Sequence, residues 1–210
     1  MVRFACGEPT ELDAPWMTQA LEEAGVARGA TVTNLEFAGF VGTGQMARNA
    51  RFRLTWDQPE GRPASLVGKF PSADATARGT GFQHGSYQSE WEFYNDVVKT
   101  LTIRTPQCWV SRFRPEEEDF VLLMEDLSNS RQGDQLKGLT VDEVALAVRE
   151  AVGMHAPRFG DPTLRNFCAD RSKGKDRAAE LAGFYGVCRE PMLARLGHRL
   201  SPDVVQQIGR

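Results

Sequence analysis

Three features of the sequence have the chemistry of a phosphate-handling site: the segment Gly42-Thr43-Gly44-Gln45-Met46, the lysine Lys69 inside an apolar run, and the carboxylate Glu90. Glycines at a strand-to-strand turn let backbone N–H groups approach phosphate oxygens with no Cβ in the way. An ammonium meets phosphate charge, and a carboxylate fixes that ammonium in place. Each feature also has a plainer reading. Glycine pairs in hairpins are commonly just turns, a strand lysine can be an outward-pointing guard on a sheet edge, and a glutamate in a helix's first turn can simply be solvated and favourable to the dipole. A second Gly-Thr-Gly, at Gly79-Thr80-Gly81, has no strand pattern beside it.

The elements that would position these residues follow from hydrophobic periodicity. Thr31 to Phe37 and Arg51 to Trp56 alternate with period two on either side of the glycine segment, which predicts a hairpin with the glycines at its tip. A turn-rich stretch from Asp57 to Pro63 leads to a third strand, Ala64 to Phe70, carrying Lys69. From Ser86 to Leu101 a rotation of about 100° per residue gathers Phe93, Tyr94, Val97, Val98 and Leu101 into one stripe. Glu90 falls near its centre and Glu92 opposite, so Glu90 needs a cation or hydrogen-bond partner, and Lys69 is the strand lysine within reach.

Gln107 to Phe113 and Phe120 to Met124 read as two further strands around the acidic turn Pro115 to Asp119, giving a five-stranded sheet with one helix inserted after the third strand. Before the sheet, Asp13 caps a packing helix with Pro15 in its first turn and Gly25 as its stop. After it, Glu125-Asp126-Leu127 opens a polar hinge running to Gly138. Thr140 and Glu143 then form a capping box for a helix with a broad apolar face of Val141, Val144, Val148 and Val152, ending at His155, which reads as a packed or capping histidine. A long helix is expected between Asp176 and Leu200, interrupted near Pro191, and Ser201 caps a last one.

With 210 residues, 41% of them apolar, and a net charge of −3, the chain can bury a core and offers no global attraction to nucleic acid or anionic membrane. The four cysteines, Cys6, Cys108, Cys168 and Cys188, are scattered without a CxxC pair, so no metal-thiolate centre is expected. No run approaches the ~20 apolar residues of a membrane span, and a cytoplasmic location is the default expectation.

The order strand, glycine loop, strand, lysine strand, glutamate helix, two strands, hinge and helices resembles a protein-kinase-like N-lobe. The strings Gly42 to Met46, Leu66 to Pro71, Tyr87 to Tyr94, Leu122 to Leu127 and Met154-His155-Ala156-Pro157 resemble those of aminoglycoside phosphotransferase and ecdysteroid-kinase-like small-molecule kinases, over roughly residues 10 to 165. The resemblance implies an α+β, protein-kinase-like fold. Residues 1–30 would be a helical segment, 31–127 a nucleotide-binding N-lobe of five antiparallel strands with an inserted αC-type helix, and 128–210 a hinge and the first helices of an incomplete helical C-lobe. It also implies ATP with Mg2+. Gly42, Thr43, Gly44, Gln45 and Met46 would cover the phosphates, Lys69 would contact them, Glu90 would orient Lys69, and adenine would bind the Glu125 carbonyl and the Leu127 N–H.

Members of that family carry a His-Gly-Asp-x-x-x-x-Asn catalytic loop followed by a second metal-binding aspartate. The nearest string here is Phe159-Gly160-Asp161-Pro162-Thr163-Leu164-Arg165-Asn166. Phe159 replaces the histidine, a proline follows the aspartate, and the string comes one helix after the hinge, so Asp161 and Asn166 are read as a decoy. The expectation is therefore a small-molecule kinase acting on a hydroxyl acceptor, represented by a chain that ends before its catalytic loop and is inactive alone, with metal ligands beyond residue 210. The alternative is a catalytically dead, kinase-like binding module.

Overall fold

Period-two alternation becomes five antiparallel strands in the order β1-β2-β3-β5-β4: β1 (Val32–Val41), β2 (Ala47–Trp56), β3 (Ser65–Pro71), β4 (Cys108–Arg114) and β5 (Asp119–Glu125). The structure, a computed structural model, describes residues 8–42, 44, 46–131, 133–134, 136–164 and 177–209. The chain divides into two units, Met1–Phe167 and Cys168–Arg210, and the sheet belongs to the first. The fold is mixed α+β.

The two sheet faces have different chemistry. On one, Phe52, Leu54, Leu66, Phe70, Val121 and Leu123 pack against Trp16, Met17, Ala20 and Leu21 of α1 (Ala14–Glu23). Asp13 caps α1 by accepting from the Trp16 N–H at 2.8 Å, as Pro15 in the first turn predicts. On the other face, Phe120, Leu122 and Met124 meet Tyr87. β5 is thus covered on both sides, which is why Phe120 to Met124 reads as a continuous apolar run. β1 pairs Phe37 with Phe52, but after a bulge pairs Gly39 with Arg51 and Val41 with Asn49. Gly39 takes the positive φ of 115° that this bulge requires. The extra residue turns Val41 to the face opposite Phe37.

Two helical expectations need correction. Ser72 to Gly85 holds an unpredicted helix, α2 (Ala75–Gln83), which runs through Gly79 and Gly81. Asp74 caps it through the Ala77 N–H at 2.7 Å, and Arg78 donates to the Ser72 and Ala73 carbonyls. These contacts offset the ~1 kcal/mol that each helical glycine costs relative to alanine. The continuous helix expected from Ser86 to Leu101 is instead α3 (Ser86–Glu92), a π-helical turn over Phe93–Val97 and a 3-10 turn over Val98–Thr100. Asn95 explains the break: its side-chain amide donates to the Trp91 carbonyl at 2.8 Å and to Ser111 Oγ at 2.8 Å, competing with the backbone ladder just below two β-branched valines.

α4 (Val141–His155) opens with the predicted capping box, Thr140 and Glu143 each bonding the other's backbone N–H. Its valines Val141, Val144, Val148 and Val152 are exposed rather than packed. The helix meets the preceding loop through Gly153, whose carbonyl accepts from the Thr102 N–H at 3.0 Å. A Cβ there would lie 2.7 Å from the Ile103 nitrogen. In the second unit, α5 (Arg177–Leu196) runs through Pro191 without the predicted interruption and ends in a 3-10 turn over Gly197–Arg199. The expected start at Asp176 lies outside the described residues. Ser201 caps α6 (Pro202–Ile208) by accepting from the Val204 N–H, and the Tyr185 hydroxyl donates to the Ile208 carbonyl. Among the described residues no helix is long and apolar enough to cross a membrane.

Candidate functional site

A cleft of ≈ 580 Å³ opens on the sheet face opposite α1, within the first unit. Register accounts for its roof. Val41 pairs with Asn49, Asn49 with Lys69, and Arg51 with Val67, so these five side chains share one face of β1, β2 and β3. β3 lies between β2 and β5, so Lys69 is on an interior strand and the reading of it as an edge guard does not hold.

Glu90 and Tyr94, from α3 and the π-helical turn, form one wall of the cleft; Met124, Glu125, Asp126 and Leu127 form another. The Lys69 ammonium contacts Glu90 Oε1 at 2.7 Å, with side chains 24% and 29% exposed. An ion pair this solvated contributes at most about 1 kcal/mol to stability. Its consequence is positional: it fixes an ammonium in the mouth of the cleft.

A second pair closes the hinge end. Arg51 Nε donates to both Asp126 oxygens, at 3.1 and 3.0 Å, and the Asp126 carboxylate is 4% exposed. Burial works against its charge, but Arg51, Ser65 and the Ser128 N–H outweigh that, and its pKa is lowered. Glu125 accepts from Arg104 and from the Gln107 N–H, which lower its pKa as well. The Leu127 carbonyl accepts from the Ser130 N–H in a turn at 2.8 Å. Tyr94 is pushed up to about 12, first by burial and then by Glu90, and Cys108 likewise. Both are neutral at physiological pH, so Tyr94 brings a hydroxyl to the cleft and no charge.

Of the residues singled out in the sequence, Gly42, Lys69, Glu90, Glu125 and Leu127 line this cleft. Gly42 has φ +77°, a Cβ on Gly44 would lie 2.8 Å from the Ala47 carbonyl oxygen, and the Met46 carbonyl accepts from the Tyr87 hydroxyl. Thr43 and Gln45 lie outside the described residues, as does Asn166. Asp161 is absent from the cleft lining. It receives Arg158 Nε at 2.6 Å, together with the Thr163 N–H and hydroxyl at 2.8 and 2.6 Å. Arg158 in turn reaches Thr100 Oγ1, so Asp161 anchors the chain after α4 to the end of the helical run that carries Glu90. His155 is exposed at the end of α4.

Sequence reasoning missed Asn49, Arg51 and Tyr94 as parts of this site, and Tyr87, which bonds the Met46 carbonyl from the core beside it. For Arg51 the signal was present: it alternates with Phe52, so a core role for Phe52 places Arg51 on the opposite face. For Tyr94 there was none, since it reads as a member of an apolar helical stripe, and Tyr87 stands only at the start of the string Tyr87 to Tyr94 that carries the resemblance. Among the described residues no three His, Cys, Asp or Glu side chains gather as a metal-binding group. Neither a family model nor a curated protein matches this chain.

Proposed function

We propose that the cleft binds ATP and that the chain belongs to the aminoglycoside-phosphotransferase-like small-molecule kinases, with a protein-kinase-like fold and a small-molecule hydroxyl as acceptor. The observation that carries this reading is the Lys69–Glu90 pair at 2.7 Å on the cleft face of an interior strand. A solvated pair does little for stability, and a lysine held at the mouth of a cleft beside a positive-φ glycine has the chemistry of a phosphate contact.

The residues present fit the nucleotide. The cavity volume lies within the roughly 300–1,000 Å³ usual for small-molecule sites. Val41, Val67 and Met124 offer apolar contact to a base, the Glu125 carbonyl and Leu127 N–H offer it a polar edge, and Gly42 and Lys69 stand where phosphates would lie. ATP supplies the transferable phosphoryl group. This chain's part is to orient it: Glu90 holds Lys69, and Lys69 neutralises phosphate charge.

A second reading, a kinase-like module that binds nucleotide without transferring phosphate, is favoured by one observation. Asp161, in the string nearest to the family's catalytic loop, has its carboxylate engaged by Arg158 and Thr163. No described residue is assigned as acceptor base.

Thermal unfolding of the chain with ATP and magnesium tests the common premise. At a nucleotide concentration 100 times Kd, binding adds about 2.7 kcal/mol, or roughly 5–10 °C for a chain of this size. That gain should vanish in Lys69→Ala. Radiolabelled phosphate transfer to a panel of small hydroxyl compounds then separates kinase from binding module.

A further inference from the structure

The second Gly-Thr-Gly lies outside the cleft lining, and it leads to a buried residue that bonds the glycine segment. Gly81 is buried in α2, and a Cβ on it would lie 2.6 Å from Cε2 and 2.8 Å from Cζ of the Tyr87 ring. The absence of a side chain at Gly81 is what lets α2 seat that ring. Phe82 and Phe120 hold it from two other sides, with centroids at 4.7 and 4.9 Å. The ring is thus fixed in a buried aromatic cage, 2% exposed.

The hydroxyl at the end of this fixed ring bonds two other elements. It donates to the carbonyl of Met46, the last residue of the glycine segment, and accepts from the Ser72 N–H, just past β3, at 3.2 Å. Ser72 follows the last paired position of β2 and β3, Ala47 with Pro71. Tyr87 itself lies one helical turn before Glu90, on the helix whose carboxylate holds Lys69.

We infer that Tyr87 is a positioning residue that couples the glycine segment to the Lys69–Glu90 pair, with Gly81 as the seat of its ring. One hydroxyl joins the start of β2, the end of β3 and α3, so the backbone over the phosphate site and the cation inside it are held in one frame. A phenylalanine at 87 keeps the aromatic packing and loses only this link. The coupling stands on these contacts alone; its effect on ATP rests on the function proposed above.

The test is residue-resolved amide exchange together with nucleotide affinity. In the wild-type chain the Ser72 amide should exchange slowly, although it lies beyond the strand pairing; exchange as fast as at exposed Ala73 overturns the inference without any variant. In Tyr87→Phe, exchange at Ser72, Met46 and Ala47 should rise roughly 10-fold while that at Leu66 and Leu123 stays unchanged. A uniform rise across the sheet, or no change at Met46 and Ala47, would mean that Tyr87 only fills the core. The same variant should lose roughly 10-fold in ATP affinity with adenosine affinity unchanged; an equal loss for both contradicts a phosphate-side effect. If the wild type binds neither ligand, the nucleotide reading fails, and the exchange data still decide the coupling.

Discussion

The two faces of the central strands make the most informative contrast in the molecule. Residues alternate between them one by one, yet Phe52, Leu54, Leu66 and Phe70 face α1 while Asn49, Arg51, Val67 and Lys69 face the cleft. A sheet needs one apolar face to fold. The other face was free to carry two paired cations, Arg51 with Asp126 and Lys69 with Glu90, and these contribute far less to stability than an equal number of buried aromatics. The contrast separates what holds the fold from what occupies the cleft.

The strongest way to break that separation is on the α1 side. Phe52→Ala removes a side chain that is 1% exposed and should cost about 3–5 kcal/mol in urea unfolding, leaving the nucleotide Kd of the folded fraction unchanged. On the cleft side, Arg51→Leu leaves the buried Asp126 carboxylate without its cation. Because Arg51 is 31% exposed and Ser128 still donates to Asp126, the loss should be about 2 kcal/mol, below the ~3–5 of a fully buried pair. Its pH dependence has a definite sign. The pKa of Asp126 is lowered, so its contribution is present above the unfolded carboxyl value of about 3.9 and is lost as pH falls through the folded one. Urea titrations between pH 3 and 7 should show Arg51→Leu losing less on acidification than the wild type.

Lys69→Ala should change stability by less than about 1 kcal/mol and abolish ATP-dependent stabilisation, the inverse of Phe52→Ala. The smallest effect concerns Asp119, the buried carboxylate at the start of β5. Asp119 is 1% exposed, and neither of its oxygens has a hydrogen-bond partner. Burial pushes its pKa up despite Arg114; the Phe120 N–H lies near enough to favour the charge without meeting hydrogen-bond geometry. A raised carboxyl pKa penalises the folded state at neutral pH, and that penalty disappears as pH falls below the unfolded value. Asp119→Asn should therefore unfold later than wild type at pH 8, with the gap closing toward pH 4.

The sheet was legible in the sequence because β2, β3 and β5 obey simple rules: strict alternation for a strand with one buried face, an unbroken apolar run for a strand covered on both. Lys69 and Glu90 were legible as partners because strand and helix periods fix which way each side chain points. The bulge at Gly39 was not, since one inserted residue reverses every side chain after it and leaves no mark in composition. The break after Glu92 was missed because the apolar stripe continues through it, while its cause, the Asn95 side chain bonding Trp91 and Ser111, is a tertiary contact. The two Gly-Thr-Gly segments show the same limit. One contributes a positive-φ turn at Gly42 and the other a missing Cβ beneath Tyr87, and the tripeptide itself does not distinguish these uses.

If the face carrying Lys69 is the nucleotide face, methyl groups on that face respond to ATP and those facing α1 do not. Methyl-resolved NMR of the chain titrated with ATP and magnesium tests it directly. The expected shifts are confined to Val41, Val67, Met124 and Leu127, with Leu54, Leu66 and Leu123 unmoved. Shifts centred on the α1-facing methyls, or none at millimolar ATP, would contradict it.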